Sequence, residues 1–458
     1  MKLTTVCSQQ EINKYLKQVD RFFNPPLSAR VNLSEYAKKL HTHAQVYSLT
    51  RGGEIIASVF YYINKKDIYI PVLGCIAGFE GKGIMLGLLK RLEHDMVSKG
   101  MKSISLTTWD QSKALNFYVK NGFAVKDVVQ DRPDGRKTVH LWKDLKPDFP
   151  YFDFIESPIE TNSRLNDYLG VNLIIKRDDL FPVTGGGSKS RKLKFILKKG
   201  LKNGCTAVVS AGSNYSNHLR ATAVLCSELG LKFTACIHDQ KPEPSGLKGN
   251  VKLTTELSHR VHFVSMPDIK QCMDEAVNTY IDEGERPLYI WGGGHCIEGT
   301  FSYINAVEKL VESVNTPLHQ IFVASGTGTT QAGLILGANK HLPSCRVIGI
   351  SIARGRERGE KAIMDAIEDI APYFSINQKF VGEQINFDDR FLFGGYGKVN
   401  DTLMNELNFL KKNFGLILDP VYSGKAFFAV KRYIEEGRVE KGSNVLFWNT
   451  GGLLNVLS

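Results

Sequence analysis

Apolar residues recur along this chain at two spacings, and the switch between them marks out its elements. A period near 3.6 predicts helices over 11–23, 84–99 and 112–121, while alternation predicts strands over 45–49, 55–63, 68–73 and 103–107. Gly52-Gly53 turns the first two strands into a hairpin, and Pro133-Asp134-Gly135 separates two further strands. From Ile155 the pattern changes to β-rich apolar runs alternating with helices, which is how α/β layers with parallel strands read. Those runs predict strands over 173–175, 207–209, 233–237, 262–264, 288–290, 320–324, 346–350 and 445–448. Between the two regimes Lys143–Pro158 carries three prolines. A boundary is expected there, with units over 1–146 and 151–458.

A chain of 458 residues is too long for one hydrophobic core, in keeping with more than one domain. Its 43% hydrophobic and 23% charged residues exclude a disordered, collagen-like or low-complexity chain. No run reaches the roughly 18 apolar residues that span a bilayer, and the N-terminus turns polar after Val6, too early for a secretory signal core. The chain therefore reads as cytoplasmic, without a membrane partner. Its eight cysteines form no C-x-x-C pair and no Cys/His cluster at zinc spacing, so reduced thiols and no metal are expected. Charge is unevenly shared: residues 1–146 hold 23 Lys+Arg against 13 Asp+Glu, which is +10 of the whole chain's +11. An anionic partner for the first unit follows. Its basic residues are scattered without interleaved aromatics, so that partner is not nucleic acid.

The strand–turn–helix at Pro71–Leu89 contains Gly78-Phe79-Glu80-Gly81-Lys82-Gly83. Glycines before a helix start free backbone N–H groups to face an anion, as a pyrophosphate cradle requires, although a plain tight turn has the same spacing. Further on stand Trp109-Asp110-Gln111-Ser112, then Phe117-Tyr118 and Asn121-Gly122-Phe123. With these, residues 1–145 resemble the GNAT N-acetyltransferases. The resemblance implies an α+β fold, acetyl-CoA held at Gly81 and Gly83, and Tyr118 as the acid that protonates the departing thiolate. Three positions depart from that pattern: Glu80 stands for Gln/Arg, Met85 for Gly/Ala and Ser112 for Asn. Two readings stay open, an active acetyltransferase and a retained domain that binds, senses or mediates assembly.

In the second unit three turns follow predicted elements: Gly185–Leu193, Ser210–His218 and Ser325–Gly333. The third, Ser325-Gly326-Thr327-Gly328-Thr329-Thr330, is small, rich in hydroxyls and placed at a helix start, which suits a phosphate monoester. It has neither the Gly-Lys-Ser/Thr of a Walker loop nor the G-x-G-x-x-G of dinucleotide folds. Together the turns call for a small phosphorylated cofactor and a reactive lysine.

The motifs Lys176-Arg177-Asp178-Asp179, Gly186-Gly187-Ser188-Lys189-Ser190-Arg191-Lys192-Leu193, Ser216-Asn217-His218 and Asp419-Pro420-Val421-Tyr422-Ser423-Gly424-Lys425 carry a second resemblance. From Ile155 onward the chain resembles the ACC deaminase / D-cysteine desulfhydrase family of pyridoxal 5′-phosphate enzymes, with a two-subdomain α/β fold of tryptophan-synthase-β type. That resemblance implies that Lys189 forms the Schiff base, with the Lys192 cation helping to lower its pKa. It implies that Asn217 donates to the cofactor's 3′ oxygen, and that Gly326, Thr327, Gly328, Thr329 and Thr330 wrap the phosphate. Tyr422 would lie against the ring, Ser423 beside its nitrogen, and Thr450 would close the site. Ser216 and Tyr396 would stand near the substrate's reacting carbons, and His295 in a structural role or at the substrate. A homodimer is also implied.

ACC deaminases have Glu where this chain has Ser423. A carboxylate would keep the ring nitrogen protonated; a serine suits expulsion of a good β leaving group over opening a cyclopropane. The expected activity is elimination from a small amino acid, giving pyruvate and ammonia, with the α proton taken by Lys189 or Ser216. The alternatives are β- or γ-replacement on an O-acetylated amino acid with an active GNAT unit, ACC deamination, and a non-catalytic binding protein.

Overall fold

The computed structural model describes residues 1–23, 25–132, 135–145, 155–243, 247–374 and 378–456. Contacts divide the chain into Met1–Asp148 and Phe149–Ser458. Residues 146–154 of the expected boundary, and Pro133 and Asp134 of the expected turn, lie outside the described residues.

The first unit is built on a seven-stranded sheet. Its strands are β1 (Lys2–Thr4), β2 (Gln45–Arg51), β3 (Glu54–Asn64), β4 (Asp67–Cys75), β5 (Ser103–Trp109), β6 (Ala124–Val129) and β7 (Thr138–Asp144), in the order β1-β2-β3-β4-β5-β7-β6. All neighbours are antiparallel except β4 and β5, whose crossover is the helix Ile84–Ser98. That parallel pair is registered only from Asp67↔Ser103 to Tyr69↔Ser105. Beyond it β4 runs on to Cys75 along β3 and β5 to Trp109 along β7 without pairing to each other, so the sheet opens between them. The helix Gln9–Val19 starts at a capping box of Ser8 and Glu11 and buries Ile12, Tyr15, Leu16 and Val19. The helix Leu33–His43 was not among the predicted elements, because it buries only Ala37 and Leu40.

The second unit holds two sheets. The smaller has β10 (Ala207–Gly212), β11 (Lys232–Ile237), β12 (Arg260–Phe263) and β13 (Pro287–Ile290), all parallel, in the order β12-β11-β10-β13. The larger has β8 (Ile159–Thr161), β9 (Asn172–Arg177), β14 (Gln320–Ser325), β15 (Arg346–Ser351), β16 (Asn386–Asp388) and β17 (Asn444–Asn449), in the order β16-β15-β14-β17-β9-β8. Only β8 runs antiparallel, against β9. Alternate residues of the large sheet feed two cores. Phe322, Ile348, Ile350 and Phe447 enter one, while Ile321, Val323, Val347, Leu446 and Trp448 enter the other. Burial on both faces is why these strands read as unbroken apolar runs. Among the described residues no helix is long and apolar enough to cross a membrane.

Candidate active site

The site forms where turns after β9, β13, β14 and β17 meet. After β9 the chain bends through Gly186, at φ 53°, where a Cβ would collide with the Asp179 carbonyl, so only glycine fits. Gly187 N donates to Asp178 O (2.6 Å) and Ser188 N to Thr450 O (2.9 Å), which fixes the start of the helix Ser188–Lys202. Lys189 lies in its first turn, and one cavity brings it together with Ser325, Gly326, Thr327, Gly328, Thr330, Tyr422 and Thr450. Its Nζ donates only a long bond, to Gly293 O at 3.3 Å. Burial lowers its pKa to about 8.

Lys192 does not act as the cation expected of it. It is buried and its Nζ shares the Gly293 carbonyl at 3.4 Å; burial first, and Lys189 second, push its pKa well below the ordinary value. Burial is what depresses Lys189, and the repulsion between the two amines falls chiefly on Lys192.

Asp178 anchors this segment. It is fully buried and accepts from Arg191 Nη2 (2.8 Å), Ser157 Oγ (2.6 Å), Tyr303 Oη (2.6 Å) and Trp448 Nε1 (2.8 Å). Arg191 also donates to both oxygens of Glu156. Burial would raise the Asp178 pKa, but Arg191 and Lys176 hold it at about 2.

The turn after β14 has the makings of an anion site. Gly328, at φ 84°, heads the helix Thr329–His341 without any side-chain cap, so its first N–H groups have no intrahelical acceptor. Ser325 Oγ is buried without a partner and lines the cavity. Thr329 Oγ1 meets His295 Nδ1 at 2.8 Å, which gives His295 a supporting contact at this turn. An orphaned hydroxyl, uncapped N–H groups and an amine near pKa 8 in one cavity fit the phosphate and aldehyde of pyridoxal phosphate.

Ser216 and Asn217 lie at the start of the helix Asn217–Glu228. Ser216 Oγ accepts from Leu219 N (3.1 Å) as the N-cap, leaving its hydrogen to donate. Asn217 Oδ1 accepts from Asn250 Nδ2 (3.0 Å), which also donates to Asn455 Oδ1 (2.7 Å). The Asn217 amide is thereby turned with its NH2 unengaged by that bond. His218 Nε2 meets Ser210 Oγ at 2.8 Å, and burial keeps the ring neutral by pushing its pKa well down.

Tyr396 Oη lies 2.6 Å from Tyr422 Oη and 3.2 Å from Ser213 Oγ. Lys425 Nζ donates to the carbonyls of Leu392 and Gly395, both at 2.7 Å, and so clamps the loop that carries Tyr396. Ser423 Oγ donates to the buried Asp419 Oδ1 (2.6 Å), and Asp419 also accepts from the backbone N–H of Val421, Tyr422 and Ser423. Asn250 and Asn455 were missed from sequence. Neither lies in a motif, and each acquires its place through contacts distant along the chain.

In the first unit Gly81 and Gly83 adopt φ 71° and 74° before the helix Ile84–Ser98. Glu80 turns inward on the same turn: its Oε2 accepts from Gly78 N at 2.7 Å, and backbone N–H bonds lower its pKa. This carboxylate occupies one of the turn's backbone donors. Tyr118 is buried, and burial first, with Tyr69 second, raises its pKa.

Residues 153–451 match the family described as "Pyridoxal-phosphate dependent enzyme", and residues 14–123 match the "Acetyltransferase (GNAT) family". A protein named putative 1-aminocyclopropane-1-carboxylate deaminase from Pyrococcus abyssi is 32% identical over 67% of this chain and 92% of its own length. A D-cysteine desulfhydrase from Serratia proteamaculans is 31% identical over 66% of this chain and 94% of its own length. The crystal structure of an ACC deaminase homologue, 27% identical, superimposes with a TM-score of 0.58 over 75% of this chain and 96% of that one.

Proposed function

Given that the chain belongs to the pyridoxal-phosphate dependent enzyme family, we propose that its second unit eliminates the β substituent of a small amino acid such as D-cysteine, releasing pyruvate and ammonia. The observation that carries this reading is the Lys189 amine, held near pKa 8 in one cavity with the uncapped turn at Gly326. Bound there, pyridoxal phosphate supplies an electron-poor ring that stabilises negative charge at the substrate α-carbon.

The chain's own groups do the rest. N–H groups from Gly326 to Thr330 and the Ser325 hydroxyl grip the phosphate. Lys189 would hold the cofactor through its amine and is the group placed to take the α proton of the substrate. Ser216, already an acceptor within its helix cap, offers its remaining hydrogen to the substrate carboxylate. Asn217, oriented by Asn250, donates to the ring oxygen. The Tyr396–Tyr422 pair covers the substrate face. Ser423 commits its hydrogen to Asp419, so it faces the ring nitrogen as an acceptor and not as a carboxylate. That supports elimination of a good leaving group over ring opening.

The first unit is a GNAT domain. Acyl transfer by Tyr118 with acetyl-CoA at Gly81 and Gly83 would require Glu80 to vacate the turn, so replacement on an acetylated amino acid is the weaker reading. Assembly as a cytoplasmic homodimer completes the proposal, and sedimentation at twice the chain mass checks it. The decisive experiment offers D- and L-amino acids with β leaving groups and scores keto acid and ammonia. Turnover should favour one of them. Faster release from 1-aminocyclopropane-1-carboxylate than from every β-substituted substrate would overturn the proposal.

A further inference from the structure

In the first unit two guanidinium groups from separate segments converge on one indole. Trp109 is the last residue of β5, at the end where β4 and β5 have parted. Arg30 follows the short helical turn Leu27–Ala29, and Arg132 lies in the connection between β6 and β7. Arg132 Cζ is 3.7 Å from the Trp109 ring centroid and Arg30 Cζ is 4.8 Å from it. Stacking holds a guanidinium by its face and leaves its N–H edge to bind something else.

Those edges are largely uncommitted. Arg132 spends Nε on Thr138 Oγ1 (3.2 Å), whose own hydrogen goes to Asp131. Asp20, whose charge reaches Arg30, is engaged by the N–H and hydroxyl of Ser28. Among the described residues neither arginine stands within ion-pair distance of a carboxylate. The two repel: partial burial first, and the charge of Arg132 second, lower the pKa of Arg30. Like charges gathered over one ring are unfavourable by themselves and become favourable when an anion lies between them. The +10 surplus of residues 1–146 draws an anion toward them.

We propose that Arg30 and Arg132, stacked over Trp109, bind the carboxylate of a small metabolite. Two nearby backbone donors among the described residues are already used. Lys137 N donates to Asp110 Oδ1 (2.9 Å), and Ser112 caps the helix Lys113–Lys120 through Leu115 N. The two planar forks match the two oxygens of a carboxylate. The site is independent of the lyase chemistry and of the turn at Glu80.

The test is calorimetric titration of the full, cofactor-loaded chain with succinate, which has no amine to exchange with Lys189. Saturable binding should weaken about tenfold in Arg30→Gln and in Arg132→Gln, the loss of one charge-assisted contact. It should persist in Lys189→Ala, and lyase turnover of both arginine variants should match the parent. Both variants should melt no lower than the parent, since each relieves repulsion. Three results overturn the proposal: no saturable heat, binding that survives both substitutions, or inorganic phosphate held tenfold more tightly than succinate. A fall in melting temperature with an unchanged isotherm assigns the arginines to packing over Trp109 and overturns it too.

Discussion

Replacing Asp178 with Asn tests whether the site is held from behind by a buried charge. The carboxylate is wholly enclosed, with Arg191 and Ser157 on one oxygen and Tyr303 and Trp448 on the other. Holding it at about 2, against an ordinary value of 3.8, contributes about 2 kcal/mol to the folded state near neutral pH. The sign follows from the folded value lying below the unfolded one: this stability is complete above about pH 4 and is lost as pH falls toward about 2. The substitution does more than remove that contribution. It removes one of the carboxylates that Arg191 faces, Glu156 being another, and it turns an NH2 toward Tyr303 and Trp448, or toward Arg191. Breaking a buried pair in this way costs about 3–5 kcal/mol. Urea unfolding followed by circular dichroism should show that loss, and the variant's stability should vary less between about pH 4 and pH 2 than the parent's. Because Gly187 N bonds the Asp178 carbonyl just ahead of Lys189, retained pyridoxal phosphate should also fall. A loss under about 1 kcal/mol with an unaltered acid limb would refute the reasoning.

Other substitutions probe single contacts. Asn250→Ala removes the donor at Asn217 Oδ1, and pyridoxal phosphate should bind about tenfold more weakly by equilibrium dialysis; an unchanged constant would show that the Asn217 amide is oriented otherwise. Lys189→Ala should abolish the visible absorbance of the bound cofactor, and a preparation that stays yellow would remove the lysine from the chemistry. Capture of pyridoxal phosphate needs the neutral amine, so its rate should rise with pH through about 8 and level off above; a rise continuing to ordinary lysine values would contradict the burial argument. Glu80→Gln keeps the side chain's shape but removes the charge resting on Gly78 N, so acetyl-CoA should bind the full chain about tenfold more tightly by calorimetry. Equal affinities would show that Glu80 does not compete for that turn.

What could be read from the sequence was what a short contiguous segment decides. The strands at 207–209, 320–324 and 445–448 were legible because both faces of their sheets are covered, and burial on both faces leaves an unbroken apolar run. The strands β1, β8 and β16, three residues each, are too short to show a period. Lys189 and the turn at Gly326 were legible because each carries its chemistry in consecutive residues. That they meet was implied only by the resemblance; the close fit that brings them together depends on Gly293 after β13, where a Cβ would touch both Thr327 and the Lys189 amine. Lys192 shows the limit most sharply. Three residues on in the same helix, it reads from sequence as a second positive charge acting on the first lysine. Enclosure reverses that, because a buried ammonium with one shared carbonyl loses more by staying charged than it gains. The walls that bury both amines come from the segment after β13, from the helix Ile297–Ser313 and from the turn after β14. The reactive amine is thus a property of the assembled fold, written over more than a hundred residues and invisible in any one motif.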